Sequence, residues 1–484
     1  MRKKLTNRVA YDDVINFDIK DVFNIYKEYS NQELPNIYKK FSFGRALIEK
    51  AEGSLLTDYN GKKVFDLTGG LGVANFGHNH PRILSIRKKY AESLRPEIHK
   101  SYLNPFLAGA SNNISAVLKC DLKYSFFCNS GAESVDGALK ITYKRYNGKK
   151  NFVLHSDRSF HGKTLGAGSI SAGDNFVGGK GRFYFQKIPN VLAYEFNNFK
   201  SIVRQCESAG VNNVYAIFVE PYSCSTLTES SEDFLRQVRE YCDKNQISLV
   251  YDEIYSGFAK CGYDFYFHKY NINPDVICLS KALGAGKSSI SAYVANEKVY
   301  SEAYGTVAGA LTHSTTYNSF GEECATAMEA CNMLVEEGLS ENSKLIERYL
   351  HSFLQKLKDD FPNRIKEIRG SGTHFGIIFK NQMNILEPLI KVLPIDFTSD
   401  PLFLSKLYAT AVANAMWEEA DMLAAFTSNQ EVILNISPAP ISKISDLEKY
   451  LKNMYKVLDK DPYILIMKIV KNGLVKLWIR NFLS

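Results

Sequence analysis

Two short apolar runs in the middle of the chain each end in a residue that can do chemistry. Ser248–Tyr251 leads into Asp252-Glu253, and Asp275–Leu279 leads into Ser280-Lys281. Apolar runs of this length read as buried strands of a parallel sheet, and ligands of open α/β sheets sit outside the carboxyl ends of the strands. Asp252 and Lys281 would then project into one crevice. A carboxylate and a lysine so placed suit pyridoxal phosphate. The lysine forms the Schiff base, and the aspartate holds the pyridine nitrogen protonated so that the ring can accept electrons. The plain alternative is a buried ion pair at a sheet end, and this stretch alone leaves both readings open.

Other segments supply matching pieces. Phe126-Phe127-Cys128 runs into Asn129-Ser130-Gly131-Ala132-Glu133 and a helical pattern, SVDGALKITYKRY. Free N–H groups at such a helix start suit a phosphate, although a plain strand-to-helix turn with a Ser or Asn cap explains the same residues. A strand at Asn151–His155 leads to Ser159-Phe160-His161-Gly162-Lys163-Thr164, where the aromatic could stack on a flat heterocycle or simply join the core. The apolar strand Val214–Val219 closes with Glu220-Pro221. Gly69, Gly70 and Gly72 mark an unusual turn or a domain-entry loop. Ala308–Glu322 gathers Ser, Thr and Asn ahead of a helical pattern at Glu323–Glu337, suited to capping or to a phosphate oxygen.

The elements that must hold these residues follow from periodicity. Strands alternating with helices, such as Glu232–Lys244, predict right-handed βαβ units. Before them come a helix at Val14–Tyr29 and a hairpin turning at Tyr59-Asn60-Gly61. After them come a helix at Ser343–Asp359, two strands about a Gly turn in IKEIRGSGTHFGIIF, a helix at Leu402–Ala424, a strand and turn in EVILNISPAP, and a helix at Ile444–Leu458. The expected fold is α/β: a large domain with a mainly parallel (mixed) sheet flanked by helices, plus a smaller α+β domain built from both chain ends. The expected divisions are 1–44 as an extension, 45–100 with 345–460 as the small domain, 101–344 as the large domain, and 461–484 as an apolar-basic tail.

Composition narrows the classes. A chain of 484 residues with 45% apolar and 13% aromatic residues predicts a large core and more than one domain. The charge of +7 permits an anionic ligand, but no dense basic run interleaved with aromatics points to nucleic acid. Nine cysteines without a CxxC pair read as reduced thiols of a cytoplasmic protein, and no metal site is expected. The basic start lacks a following apolar stretch, so it is not read as a secretory signal. Lys468, Lys471, Lys476 and Arg480 argue against a spanning helix in the tail. Packing on the body or at a subunit interface is expected there, with a membrane-surface helix as the weaker alternative.

Taken in order, DLTGGLGV, GHNHP, NSGAES, FHGKT, EP, DEI, PDVICLSKALGAG, HSTTY and RGSG resemble the motifs of the class III (ω-type, ornithine and 4-aminobutyrate-like) aminotransferases, pyridoxal-phosphate enzymes of fold type I. The likeness covers roughly residues 45–458. It implies Lys281 as the Schiff-base lysine and Asp252 as the partner of the pyridine nitrogen. It implies Ser130, Gly131 and Ala132 as the phosphate loop, Phe160 on one ring face with His161 beside it, and Ile254 on the other face. Glu220 and Glu253 match supporting acids. Thr316 matches a threonine that reaches the neighbouring subunit's cofactor, which implies a homodimer with shared sites.

The same resemblance exposes departures. Tyr255 stands where many members carry Gln, and its phenol could still bond the cofactor's ring oxygen. Asn435 and Ser225 stand where members taking α-amino acids place a carboxylate-binding Arg and its gating Glu. Asn is no substitute for a bidentate Arg, so a substrate carboxylate must be held otherwise or be absent. Tyr102, Phe76 and Tyr222 are placed on the substrate side by loop position alone. The implied reaction is a ping-pong transamination from an amine or amino-acid donor to a keto-acid or aldehyde acceptor, with Lys281 moving the proton. An aminomutase, racemase or decarboxylase on the same fold is the alternative, and a non-catalytic interaction protein the distant one.

Overall fold

The computed structural model describes residues 8–172, 187–380 and 402–471. Its centre is a seven-stranded sheet. From edge to edge the order is Leu122–Cys128, Ser291–Asn296, Val276–Leu279, Ser248–Asp252, Val214–Val219, Phe152–Ser156 and Val191–Tyr194. Only Ser291–Asn296 runs antiparallel to its neighbours, so the sheet is mixed but mainly parallel, as expected. Every residue of Val214–Val219 and Ser248–Asp252 is buried, which is why these strands read as unbroken apolar runs without alternation. Helices cover both faces, and the carboxyl ends of five parallel strands open on one side: Cys128, Ser156, Val219, Asp252 and Leu279.

A second core joins the two ends of the chain. Phe65 and Leu67 pack there with Ile346, Leu350, Leu434 and Leu447. Two four-stranded sheets border it. One runs Ile48–Glu52, Leu55–Asp58, Lys63–Asp66, Met422–Leu423, and the other runs Ile365–Ser371, His374–Phe379, Val432–Ile436, Ala425–Ser428. The expected hairpin is present: Asp58 accepts from the N–H groups of Asn60 and Lys62, each at 2.9 Å, and Gly61 takes a φ of 78°. In the tail, Pro462–Lys471 is a helix whose Leu465, Ile466 and Ile469 enter the second core. The remainder of the tail lies outside the described residues.

Three expected helices end differently. Val14–Tyr29 is broken, because the Asp18 side chain accepts from Lys20 and Asp21 N–H and starts a new helix at Ile19. The helix expected to reach Ala424 stops at Glu419. Asp421 turns left-handed at φ 53°, and Met422–Leu423 pair with Phe65–Asp66. Ile444–Leu458 divides into Ile444–Leu451 and Met454–Leu458.

Candidate active site

The carboxyl ends of the central strands gather nearly all of the expected residues. Asp252 ends its strand and is 5% exposed. Its Oδ2 meets His161 Nδ1 at 2.7 Å, and its Oδ1 accepts from Ile254 N–H at 3.0 Å. Burial pulls the His161 pKa down, but the bond to Asp252 reverses this and leaves it raised. Glu220, at the end of the neighbouring strand, accepts from Phe160 N–H at 3.1 Å. Burial, with Asp252's charge beside it, raises the Glu220 pKa to about 7.

Gly131, Ala132, Phe160, His161, Glu220, Asp252, Ile254, Tyr255 and Lys281 all line one cavity of about 180 Å³, together with Tyr222 and Ser280. Ser130 caps the helix Gly131–Lys144, its Oγ accepting from Glu133 N–H, and the helix's first residues, Gly131 and Ala132, line that cavity. A Cβ on Gly131 would meet Ile254 Cδ1 at 3.0 Å, so only glycine lets this helix start and the Ile254 wall approach so closely.

Lys281 follows the strand Val276–Leu279 with a φ of 47°, and its Nζ lies 4.3 Å above the centre of the Tyr255 ring. Tyr255 does not stand free. Its hydroxyl meets Ser437 Oγ at 3.0 Å, and its ring packs 4.6 Å from His374. Gly72 completes the wall: at φ 85° it brings backbone to where a Cβ would sit 2.9 Å from the Tyr255 ring. Gly69, Gly70 and Leu71 share this left-handed run. Asp66 braces the run by accepting from Thr68 N–H at 2.7 Å and Gly70 N–H at 3.0 Å. Burial would raise the Asp66 pKa, but its bonds with His78 and Thr68 hold it below the ordinary value.

Beside the first cavity lies a second of about 350 Å³, which shares Phe160, Cys224, Tyr255 and Lys281 with it. Ser225 and Asn435 both line it. His374, Thr427 and Asn429 line it as well, and nothing in the sequence pattern marks them. Four expected residues lie elsewhere. Glu253 is buried away from both cavities and pins the turn after its strand, accepting from Tyr266 N–H at 2.6 Å and Phe267 N–H at 2.7 Å. Phe76 is a core residue packed on Phe258. Tyr102 lines a separate cavity of about 520 Å³. Thr316 is exposed on the segment before Gly321–Glu336.

Residues 39–394 match the family described as aminotransferase class-III. The chain belongs to this family. The aminotransferase is 32% identical over 372 residues to a putrescine aminotransferase of Pectobacterium atrosepticum, covering 75% of this chain and 77% of that one. Its fold matches a transaminase from the marine bacterium Virgibacillus with a TM-score of 0.78, at 20% identity, over 93% of this chain and 99% of that one. It likewise matches the ornithine aminotransferase of Toxoplasma gondii with a TM-score of 0.77, at 21% identity, over 96% and 100%. As a class III aminotransferase it is a pyridoxal-phosphate enzyme of amino-group transfer. The residues present fit that cofactor: a helix N-terminus, a buried carboxylate, an aromatic side chain and an amine in one cavity. No described helix is long and apolar enough to cross a membrane.

Proposed function

We propose that Lys281 and Asp252 are the catalytic pair of this aminotransferase. The observation that carries the reading is that both line one cavity with the helix start at Gly131-Ala132. Pyridoxal phosphate, when bound, supplies a carbonyl that condenses with amines and a ring that takes up the electron pair of the bond being broken. Gly131 and Ala132, with the Ser130 cap, offer backbone N–H groups to the phosphate. Phe160 and Ile254 would wall the ring. Asp252, held by His161 and by Ile254 N–H, would face the pyridine nitrogen. Lys281 Nζ would hold the cofactor, and its amine would carry a proton to and from the substrate carbon. The substrates are an amine or amino-acid donor and a keto-acid or aldehyde acceptor, taken in turn.

The working form is a homodimer in this reading. Leu94, Leu103, Val307 and Leu311 are each at least 84% exposed, on two segments that leave apolar side chains uncovered. Thr316 lies on the second of them, where it could serve a neighbour's site. All nine cysteines are free thiols, which suits the cytoplasm.

The test is a visible absorption spectrum of the purified protein and of Lys281→Ala. The expected result is a band in the wild type that an amine bleaches and a keto acid restores. A protein that stays colourless with added pyridoxal phosphate would overturn the reading. Bleaching that no keto acid or aldehyde reverses would replace transamination with another reaction of the same cofactor.

A further inference from the structure

The 350 Å³ cavity beside Lys281 has a wall of unused acceptors. Asn429 is 4% exposed, and its Nδ2 donates to the Arg158 carbonyl at 3.3 Å and to Ser225 Oγ at 3.1 Å. A carbonyl can only accept, so this contact fixes the orientation of the amide: nitrogen to the wall, oxygen away from it. Among the described residues, Asn429 Oδ1 is buried with no partner. Asn435 Oδ1, Thr427 Oγ1 and His374 Nδ1, on the same cavity, are also buried and unpartnered among the described residues. Buried polar atoms are rarely left unsatisfied, so four on one cavity wall mark a place where a ligand completes the bonding.

Among the described residues, that wall offers a carboxylate no free counter-charge. Lys281 is the only cationic side chain among the described residues that lines the cavity, and the proposed chemistry occupies it. Ser225, which could have carried an acid, instead donates its hydroxyl to the Arg158 carbonyl at 3.0 Å. The Arg158 guanidinium itself lies over the Phe196 ring and lines a different cavity. His374 brings no charge either, since burial, with Lys260 and Lys281 nearby, holds its pKa well below the ordinary histidine value. A carboxylate here would face the Asn429 amide oxygen without a counter-charge, and that desolvation is costly.

We propose that Thr427, Asn429 and Asn435 form a subsite for the far end of the amine substrate, selecting a terminus that donates hydrogen bonds, hydroxyl or ammonium, over a carboxylate. The inference rests on the catalytic reading of Lys281. Bound in this way, the terminus gives its O–H or N–H protons to Asn429 Oδ1, Asn435 Oδ1 and Thr427 Oγ1 while the reacting amine meets Lys281.

The test uses four amines with one carbon chain: pentylamine, aminopentanol, cadaverine and aminopentanoate. The holoenzyme's rate of bleaching is read as kcat/KM, and equilibrium binding to Lys281→Ala as Kd. Aminopentanol or cadaverine is expected to exceed both pentylamine and aminopentanoate by at least about tenfold, since an unfilled acceptor wall is penalised as well as unrewarded. The better of the two names the terminus. Asn429→Leu should bring the ratio of aminopentanol to pentylamine toward one. If that variant does not fold, Asn435→Arg should instead shift preference toward aminopentanoate by about tenfold. Bleaching by all four amines without preference, or with aminopentanoate favoured in the wild type, overturns the subsite alone. No bleaching by any of them overturns the catalytic reading and the subsite with it.

Discussion

Lys260 offers the sharpest test of how the site is held together. Its side chain is fully buried, and its Nζ donates to the carbonyls of Ser437 and Pro438, each at 3.0 Å, with no carboxylate bonded to it among the described residues. Burial lowers its pKa from 10.5 to about 7. At 1.36 kcal/mol per pH unit, that drop corresponds to roughly 5 kcal/mol, as an order of magnitude. Between pH 7 and 10.5 the unfolded chain binds more protons at this lysine than the folded one, so folded stability rises with pH across that window. It is lost as pH falls through about 7. Lys260→Met removes the titration while keeping most of the volume. The stability of wild type relative to the variant should therefore grow by roughly 2–3 kcal/mol between pH 7.5 and 9.5. Urea denaturation followed by circular dichroism at three pH values in that range reads the difference, and titrations common to both proteins cancel. The variant should also lose kcat/KM, because Ser437 and Pro438 lose the bonds that place Ser437 Oγ against the Tyr255 hydroxyl. A stability difference that stays flat from pH 7.5 to 9.5 would refute the reasoning.

Asp252→Asn should lower kcat by about 100-fold or more while leaving the thermal midpoint nearly unchanged, as measured by steady-state kinetics beside a melting curve. Gly131→Val would force a branched side chain toward Ile254, where even a Cβ stands at 3.0 Å, and should cost about 1–3 kcal/mol and cofactor retention, read as loss of visible absorbance on dialysis. Glu220 behaves oppositely to Lys260. With its folded pKa raised to about 7, its contribution is present below about pH 4.5 and fades as pH rises to about 7, so Glu220→Gln should flatten that part of the stability profile in denaturation experiments. Glu419 pairs with Lys460 and Lys468, both partly exposed; Glu419→Gln should therefore cost under about 1 kcal/mol, and a thermal-shift assay should show the loss shrinking with added salt.

The large sheet was legible because strands buried on both faces need unbroken apolar runs, and VYAIFV and SLVYD are such runs. SAYVAN at Ser291–Asn296 holds the comparable run AYVA, buried throughout, but the run does not tell that this strand lies antiparallel between its two neighbours. Asp252 and Lys281 were legible as occupants of one crevice because the sheet is parallel there, so the strand ends coincide. The second cavity was not. Thr427, Asn429 and His374 come from antiparallel strands and turns of the other core, and ordinary turn chemistry explains each of them locally. Their meeting depends on how strands more than 40 residues apart in sequence are registered, as in the pairing of Gly376 with Asn435. Nor does any local rule place Lys260 beneath Ser437.

The second core closes only when both ends of the chain are present. Phe65 awaits Tyr450, whose ring stacks on it with centroids 5.0 Å apart, roughly 400 residues later in synthesis. At about 5–20 residues per second, a ribosome takes about 20–80 s to cover that distance. The central sheet's seven strands all lie between Leu122 and Asn296, so that sheet can assemble while the apolar residues of the early hairpin are still without partners. Newly made chains therefore pass through a long-lived stage with an uncovered hydrophobic strand, and a chain released before Met422 keeps it. Termination ahead of Ala425 would remove Thr427, Asn429, Asn435 and Ser437 and leave the second cavity half-walled.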